Sequence, residues 1–504
     1  MFEGHPLFSM ENAYRAYRQC RRHKRGTMNA MRFERNLEEN IVALHEELSS
    51  GTYQPGRSIA FLVEKPKRRE IFAADFRDRV VHHVLVGHLE PKWERRFIHD
   101  SYACRKGKGT HAGVERLRSF ARQVTANSTR GGWYLQLDVR GFFTTLDKHV
   151  LWEQIARKER DPAVLWLART LIFHDPVSDC RLRDARRADF ERLPDHKTLF
   201  KARSGCGLPI GNLTSQFFAN VYLDALDQFV KHTLKARYYV RYCDDLVLLS
   251  EDRQELERWE RDIEAFVEGH LLLRLNQRRK LRPVADGIDF LGYIVRPDYM
   301  LVRRRVVVAL RERLEATEVR LCAMGMARHA DGRCVFAWHW SLIEKVQQWL
   351  NSYLGHFGRA ASRRLVLAVR RRFGWLNEYF RWEGGIAVLR CPIPRKVIRF
   401  QDQRMWFTTH LRGHAIIIQL GTYWELLGEP VRDLALTWEN MSLLSLRFPQ
   451  RDIGLAKRLL WDTGVPVAWV EETGRRVSGI AERAIAWRWG GDFLVRDCVC
   501  SRTG

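Results

Sequence analysis

The 504 residues exceed one small module and, at a typical size of about 150 residues, allow about three domains. A composition of 45% hydrophobic and 29% charged residues excludes a disordered chain, and 85 basic against 60 acidic side chains leave +25, a surplus that points to a polyanionic partner, nucleic acid first. Residues 401–504 carry 13 basic and 12 acidic side chains, so the surplus, 72 against 48, lies before them.

The amino terminus, MFEGHPLFSMENAYRAYRQCRRHKRG, has charges where a signal peptide needs an apolar core. The longest uncharged run, residues 204–223, is broken by glycines, Pro209, Asn212, Gln216 and Asn220, which argues against a membrane span. Ten cysteines without C-x-x-C spacing favour reduced thiols over disulfides or zinc, and a cytoplasmic protein is expected.

In chain order, Phe33, Leu37, Ile41, Leu44 and Leu48 predict one amphipathic helix that Gly51 can stop. SIAFLV (58–63) predicts a strand, followed by the basic KPKRRE and a helix beginning within FAADFRDRVVHHVL. WYLQLDV (133–139) and the pair YYVRY and LVLLS (around 238–250) predict strands of one sheet, the last two joined by a polar turn. From residue 303 the pattern is helical: Ile343, Val346, Leu350 and Leu354 share a face, and a basic helix carries Arg363, Arg364, Arg370, Arg371 and Arg372. EGGIAVLRCPIPRK (383–396) collects Gly and Pro where the charge balance changes, and predicts a domain boundary.

The sharpest chemical feature is Tyr242-Cys243-Asp244-Asp245, two adjacent acids in a turn between apolar strands. Taken alone, such a pair is most simply a solvated hairpin tip. Asp138, at the end of WYLQLDV and followed by Gly141, Phe142 and Phe143, brings a third acid. Repelling carboxylates beside apolar strands need a cation, oxygen ligands suit Mg²⁺, and two ions about 3.5 to 4 Å apart are the usual arrangement for nucleotidyl transfer.

At these residues the chain resembles reverse transcriptases, whose palm carries one acid after a first strand, a Gly-rich segment and a Tyr-x-Asp-Asp hairpin, in that order. The resemblance covers roughly residues 55–375: KPKRREIFAADFRDRVV and SYACRKGKGTHAG look like fingers motifs, LDVRGFF like the first acid motif, and IDFLGY (288–293) closes the palm. It implies two Mg²⁺ held by Asp138 and Asp244, with Asp245 slightly further out and Tyr242 beside the nucleotide. It also implies Phe143 as a ring excluding a 2′-hydroxyl, Arg69 and Arg105 meeting triphosphate or template, and a lysine that protonates pyrophosphate. For that last role LNQRRKLRPV departs from the family spacing, so Arg278, Arg279 and Lys280 compete, and chemistry favours Lys280 because an ammonium can give up a proton.

GLPIGNLTSQ (207–216) has Ile210 where most of the family has Gln and Gln216 where it has Pro, a version that looks like diversity-generating retroelements, as does SYLGHFGRAASRRL (352–365). That subgroup implies cDNA synthesis with errors at adenines, template RNA, primer and dNTPs as partners, and a small basic accessory protein. Physically, Ile210 removes an amide donor and acceptor beside the nascent base pair. A bacterial defence reverse transcriptase is the alternative, and a noncatalytic RNA-binding scaffold is the alternative from another class. Group II intron proteins fit less well, because Ser215 is followed by Gln216 and no maturase-like or nuclease tail is recognisable.

AIIIQLGTYWELLGEPVRDLALTWEN (415–440) reads as a strand, Gly421, an aromatic pair with Glu425, then a helix. With DIGLAKRLLWDTGVPVAWVEETG (452–474) it looks like the mismatch-recognition domain of MutS proteins. The resemblance gives Tyr423 the role of wedge and Glu425 that of partner to a mispaired base. The expected fold is α+β: a helical segment at 1–54, fingers and palm at 55–300, a helical thumb at 301–384, a linker at 385–400 and a small α/β MutS-like module at 401–504.

Overall fold

Ser9 opens the first long helix, Met10–Arg21, its hydroxyl accepting the Asn12 N–H at 3.2 Å. Where one helix was expected over residues 33–48, the structure has two, Met28–Arg35 and Leu37–Ser50. Asn36 (φ −125°, ψ 53°) leaves helical geometry between them and precedes the second helix, its side-chain amide donating to the Glu39 carboxylate at 3.0 Å. Gly51 ends the second at φ 76°. Phe33, Ile41, Leu44 and Leu48 all enter one core with Phe76–Glu94, whose N-cap Asp75 accepts the Arg77 N–H at 3.0 Å.

The computed structural model describes all residues except 23–26, 65–66, 329–333, 391–396, 398, 432–446 and 490–504. It forms two compact units, residues 1–291 with 295–298, and residues 292–294 with 299–504.

In the first unit, strands β1 (Ser58–Val63) and β2 (Arg69–Ala73) form a hairpin registered Ile59 to Ala73, with β4 (Cys180–Leu182) parallel to β1. The main sheet contains β3 (Trp133–Asp138), β5 (Tyr238–Tyr242), β6 (Asp245–Ser250) and β7 (Lys280–Pro283), in the order β5-β6-β3-β7 and antiparallel throughout. Leu135, Leu137, Leu246 and Leu248 turn one face of it into the core that Ile263, Val267 and Leu271 of helix Arg253–Leu271 also enter. Period-two alternation therefore leaves Gln136 and Asp138 together on the opposite face.

The second unit combines helices Arg304–Ala323, Trp340–Phe357 and Arg363–Arg372 with a seven-stranded sheet. Its strands are β8 (Ala327–Arg328), β9 (Cys334–Ala337), β10 (Ala415–Leu420), β11 (Tyr423–Leu427), β12 (Arg447–Pro449), β13 (Val467–Val477) and β14 (Ile480–Trp489), in the order β8-β9-β14-β13-β10-β11-β12. Among the described strands of this sheet, only β10 and β13 pair in parallel.

Three expectations change. β8 and β9 come from the span assigned to the thumb, yet they extend the carboxy-terminal sheet through β14, so residues 301–384 and 401–504 share one compact unit. The segment expected as a linker is a hairpin in part, Phe380–Glu383 against Ile386–Leu389, with Gly384 (φ 54°) and Gly385 (φ 85°) supplying the left-handed turn. Asn351 clasps both polar groups of Ala387, at 2.7 and 2.9 Å, which ties that hairpin to helix Trp340–Phe357. The third change concerns thiols: Cys104, Cys180, Cys206 and Cys243 are free, but Cys322 is disulfide-bonded, a pairing that sequence spacing alone does not reveal. No helix of the described residues is long and apolar enough to cross a membrane.

Candidate active site

Asp138 ends β3 with its Cα paired to that of Asp245, which opens β6, and Asp245 in turn pairs with Tyr242 across the hairpin. Cys243 turns the chain at φ 55°, and Val139 N–H donates to the Asp244 carbonyl at 3.3 Å. Three carboxylates thus gather at one end of the sheet. Asn276 grips Asp138 twice: its backbone N–H donates to the Asp138 carbonyl at 2.7 Å and its side-chain amide to the carboxylate at 3.2 Å. Burial raises the Asp138 carboxyl above the ordinary range, the charge of Asp244 adds to this, and the Asn276 amide opposes it. Burial likewise raises Asp244, against the pull of Arg69 and Lys67.

Two acids pushed toward protonation by burial, one of them also by its neighbour's charge, form a donor set that a cation would satisfy, and oxygen-only ligands fit Mg²⁺. Among the described residues no group of three acids, histidines or cysteines is close enough to form a ready-made cage. The fit is to a site that supplies two carboxylates and takes its other ligands from substrate phosphates and water, the usual habit of Mg²⁺.

Residues 207–212 thread between β2 and the short helix Phe142–Thr145. Gly207 N–H donates to Leu146 O and Leu208 N–H to Phe143 O, both at 2.7 Å, Ile210 O accepts Phe72 N–H at 2.9 Å, and Asn212 accepts Ala74 N–H at 3.2 Å. The glycines are required by this passage: a Cβ on Gly207 (φ 92°) would lie 2.6 Å from Leu199 Cδ2, and one on Gly211 (φ 120°) 2.8 Å from Ile71 Cγ2. Ile210 is half-buried and held to β2 through its backbone, while Gln216 is exposed on helix Leu213–Gln228. Phe143 is half-buried, its ring edge-on to Phe142 at 5.2 Å, and Tyr242 places its hydroxyl 3.4 Å from Thr110 Oγ1.

Lys280 stands opposite Gln136 in the β3–β7 register, its Nζ 3.4 Å from Gln136 Oε1. Gln136 precedes Asp138 by two residues on the same face, a spacing of about 7 Å along the strand. Arg279 is drawn away by Glu260 and Glu264 of helix Arg253–Leu271, with contacts of 3.1 and 2.8 Å, and Arg278 is exposed.

Arg69 is exposed, and its charge reaches Asp244, whereas Arg105 is not available to a nucleotide. The Arg105 side chain is 5% exposed and its donors are committed: Nε and Nη2 to Glu94 at 2.8 to 3.1 Å, Nη1 to the carbonyls of Ile98 and Ser101 at 2.7 and 2.9 Å. A basic loop residue looks the same in sequence whether it faces solvent or clamps its own loop. In the other unit, Tyr423 is 55% exposed on β11, but Glu425 is 4% exposed, and its carboxylate meets Arg404 at 3.0 Å and Arg447 at 3.6 Å. The aromatic pair and Glu425 therefore sit on a strand, paired to β10, and the helix expected next falls largely outside the described residues.

Sequence reasoning missed Asn276 and the buried ion pair of Arg241 with Asp227, both with fully buried side chains. The one signal was an arginine inside the otherwise apolar and aromatic strand YYVRY.

Residues 63–295 match the family described as reverse transcriptase (RNA-dependent DNA polymerase). The chain is 26% identical over 314 residues to Protein YkfC of Escherichia coli, covering 55% of this chain and 75% of that protein. It is 23% identical to Nuclear intron maturase 2, mitochondrial, of Arabidopsis thaliana, covering 55% of this chain and 47% of that protein. To the group II intron-encoded protein LtrA of Lactococcus lactis it is 26% identical, over 38% of this chain and 28% of that one. A solved structure of telomerase from Candida albicans with a fragment of telomeric RNA overlaps 71% of this chain and 59% of that one at 12% identity and a TM-score of 0.39. The chain spans less than half of the maturase and of LtrA. Group II intron proteins, expected to fit less well on Gln216 and on the tail, are thus among its relatives.

Proposed function

We propose that this chain, which carries a reverse transcriptase domain and with it an RNA-directed DNA polymerase, extends a primer on a template RNA and does so with errors concentrated at adenines, as in a diversity-generating retroelement. The observation that carries the polymerase reading is the meeting of Asp138 with the Asp244-Asp245 turn at one end of a four-stranded antiparallel sheet.

Asp138 and Asp244 would hold two Mg²⁺ ions, which when bound favour ionisation of the primer 3′-hydroxyl and neutralise the leaving pyrophosphate. The exposed Lys67 and Arg69 offer phosphate contacts beside the carboxylates. Phe143 lies under the incoming sugar and excludes a 2′-hydroxyl, and Lys280 supplies the proton that pyrophosphate takes as it departs. Asn276 keeps the Asp138 carboxylate oriented.

Support for the error-prone subtype is the sequence GLPIGNLTSQ, in which Ile210 cannot offer the hydrogen bonds of an amide near the nascent pair. Similarity to maturases and LtrA favours a second reading, a reverse transcriptase working on intron RNA. The carboxy-terminal module, through exposed Tyr423, would meet mismatched duplex or an accessory protein. Copying a primed RNA with all four dNTPs and sequencing the cDNA decides: errors clustered at template adenines support the proposal, and even, rare errors favour the intron or defence reading.

A further inference from the structure

Arg241 is the most unusual side chain in the sheet. It lies inside β5 with no exposed surface, bound bidentately to Asp227, which is equally buried: Nε is 2.8 and 2.9 Å from the two carboxylate oxygens and Nη2 is 2.6 Å from Oδ2. Tyr239 donates its hydroxyl to the same carboxylate at 2.8 Å. Burying two ions forfeits their hydration, and an apolar pair of similar volume often serves stability as well or better. Stability alone therefore gives little reason for an arginine here.

What an apolar side chain could not do is use Nη1. That nitrogen donates to the carbonyl of Cys243 at 3.1 Å and to Asn220 Oδ1 at 3.2 Å. Cys243 is the left-handed residue of the carboxylate turn, a conformation that is costly for a non-glycine residue and persists where surrounding structure enforces it. The Cys243 carbonyl and the Asp244 N–H belong to one planar peptide group. Fixing the carbonyl fixes that plane, and with it the position of the Asp244 Cα from which the carboxylate projects.

The anchor of this hold is broad. Asp227 and Asn220 both lie on helix Leu213–Gln228, Asn220 also donates to Ala103 O at 2.9 Å, and the Arg241 backbone bonds to Asp100 O and Tyr102 N–H, both at 2.9 Å. We propose that Arg241 is a positioning residue for the catalytic turn: clamped by Asp227, it holds the Cys243 carbonyl and thereby orients the Asp244 carboxylate for the metal. The proposal rests on the reading of Asp244 as a metal-binding acid.

Three variants of the full chain test it. Arg241→Lys keeps the charge but loses the fork that reaches Asp227 and Cys243 together. Arg241→Met with Asp227→Leu removes both ions without stranding either. Asn220→Ala is the mildest, loosening one side of Nη1 while both ions remain. Each is measured for melting temperature, for Mn²⁺ binding by electron paramagnetic resonance well below that temperature, and for kcat and dNTP KM. Positioning predicts that a folded Arg241 variant loses about 10- to 100-fold in kcat, the scale of a misplacement of about 1 Å, with dNTP KM within about twofold and Mn²⁺ binding weakened. Asn220→Ala shifts the same quantities in the same direction by less, which keeps the test open if the other two do not fold. Unchanged Mn²⁺ binding and kcat in variants that differ only in melting temperature would overturn the proposal. Asp244→Asn runs alongside: if it binds Mn²⁺ like the parent, it is the metal-site reading that fails.

Discussion

Arg105→Ala distinguishes a side chain that holds its own loop from one that meets substrate. Its guanidinium is 5% exposed and spans Glu94 and two backbone carbonyls, while Glu94 itself is 28% exposed. Breaking a buried pair costs about 3 to 5 kcal/mol, and because water can partly rescue Glu94 the lower end applies, about 3 kcal/mol. At about 2 to 4 °C per kcal/mol for large domains, melting should fall by about 6 to 12 °C. Circular dichroism melts give the first number, and steady-state incorporation below both transitions gives the second, a dNTP KM within about twofold of the parent. Arg69→Ala, at an exposed position, should do the reverse, leaving the melt in place and raising KM. An Arg105→Ala protein that melts like the parent and shows a raised KM would refute the reasoning and restore the residue to the nucleotide site.

Because burial raises Asp138 and Asp244, the increment these two groups add to the stability of the metal-free protein is fully present below the ordinary carboxylate pKa and is lost as pH rises through their elevated values. Metal-free Asp244→Asn should therefore melt higher than the parent at neutral pH, checked by calorimetry in chelator, and the acid limb of parent activity should move to lower pH as Mg²⁺ is raised. Phe143→Ala should increase ribonucleotide incorporation relative to deoxyribonucleotide, read as a ratio of kcat/KM values, whereas an unchanged ratio would leave the ring a packing residue. Glu425→Ala should lower the melting temperature by stranding Arg404, and Tyr423→Ala should not; gel shifts with mismatched duplex should respond to Tyr423 alone.

The palm was legible because its strands are short apolar runs that end in acids, and period-two alternation put Asp138 on the face away from the core, its Cα paired with that of Asp245. Gly51 was legible as a helix end for a local reason, the left-handed conformation that glycine adopts. The roles of Arg105 and Glu425 were not, because whether a charge is exposed or clamped depends on partners 11 and 21 positions away, Glu94 and Arg404. The break at Asn36 was hidden by an unbroken apolar rhythm running through it. β8 and β9 were missed because strands of two and four residues have no periodicity to read, and their place in the carboxy-terminal sheet is set by β14, some 150 residues later.

The central claim, that Asp138 and Asp244 form the metal-dependent centre of a template-copying polymerase, is tested most directly by dNTP incorporation on a primed RNA with and without Mg²⁺, with Asp244→Asn beside the parent. The account predicts primer extension by the parent that requires both RNA template and Mg²⁺ and is lost in the folded variant. Extension that persists in Asp244→Asn, or that proceeds unchanged in chelator, would contradict it.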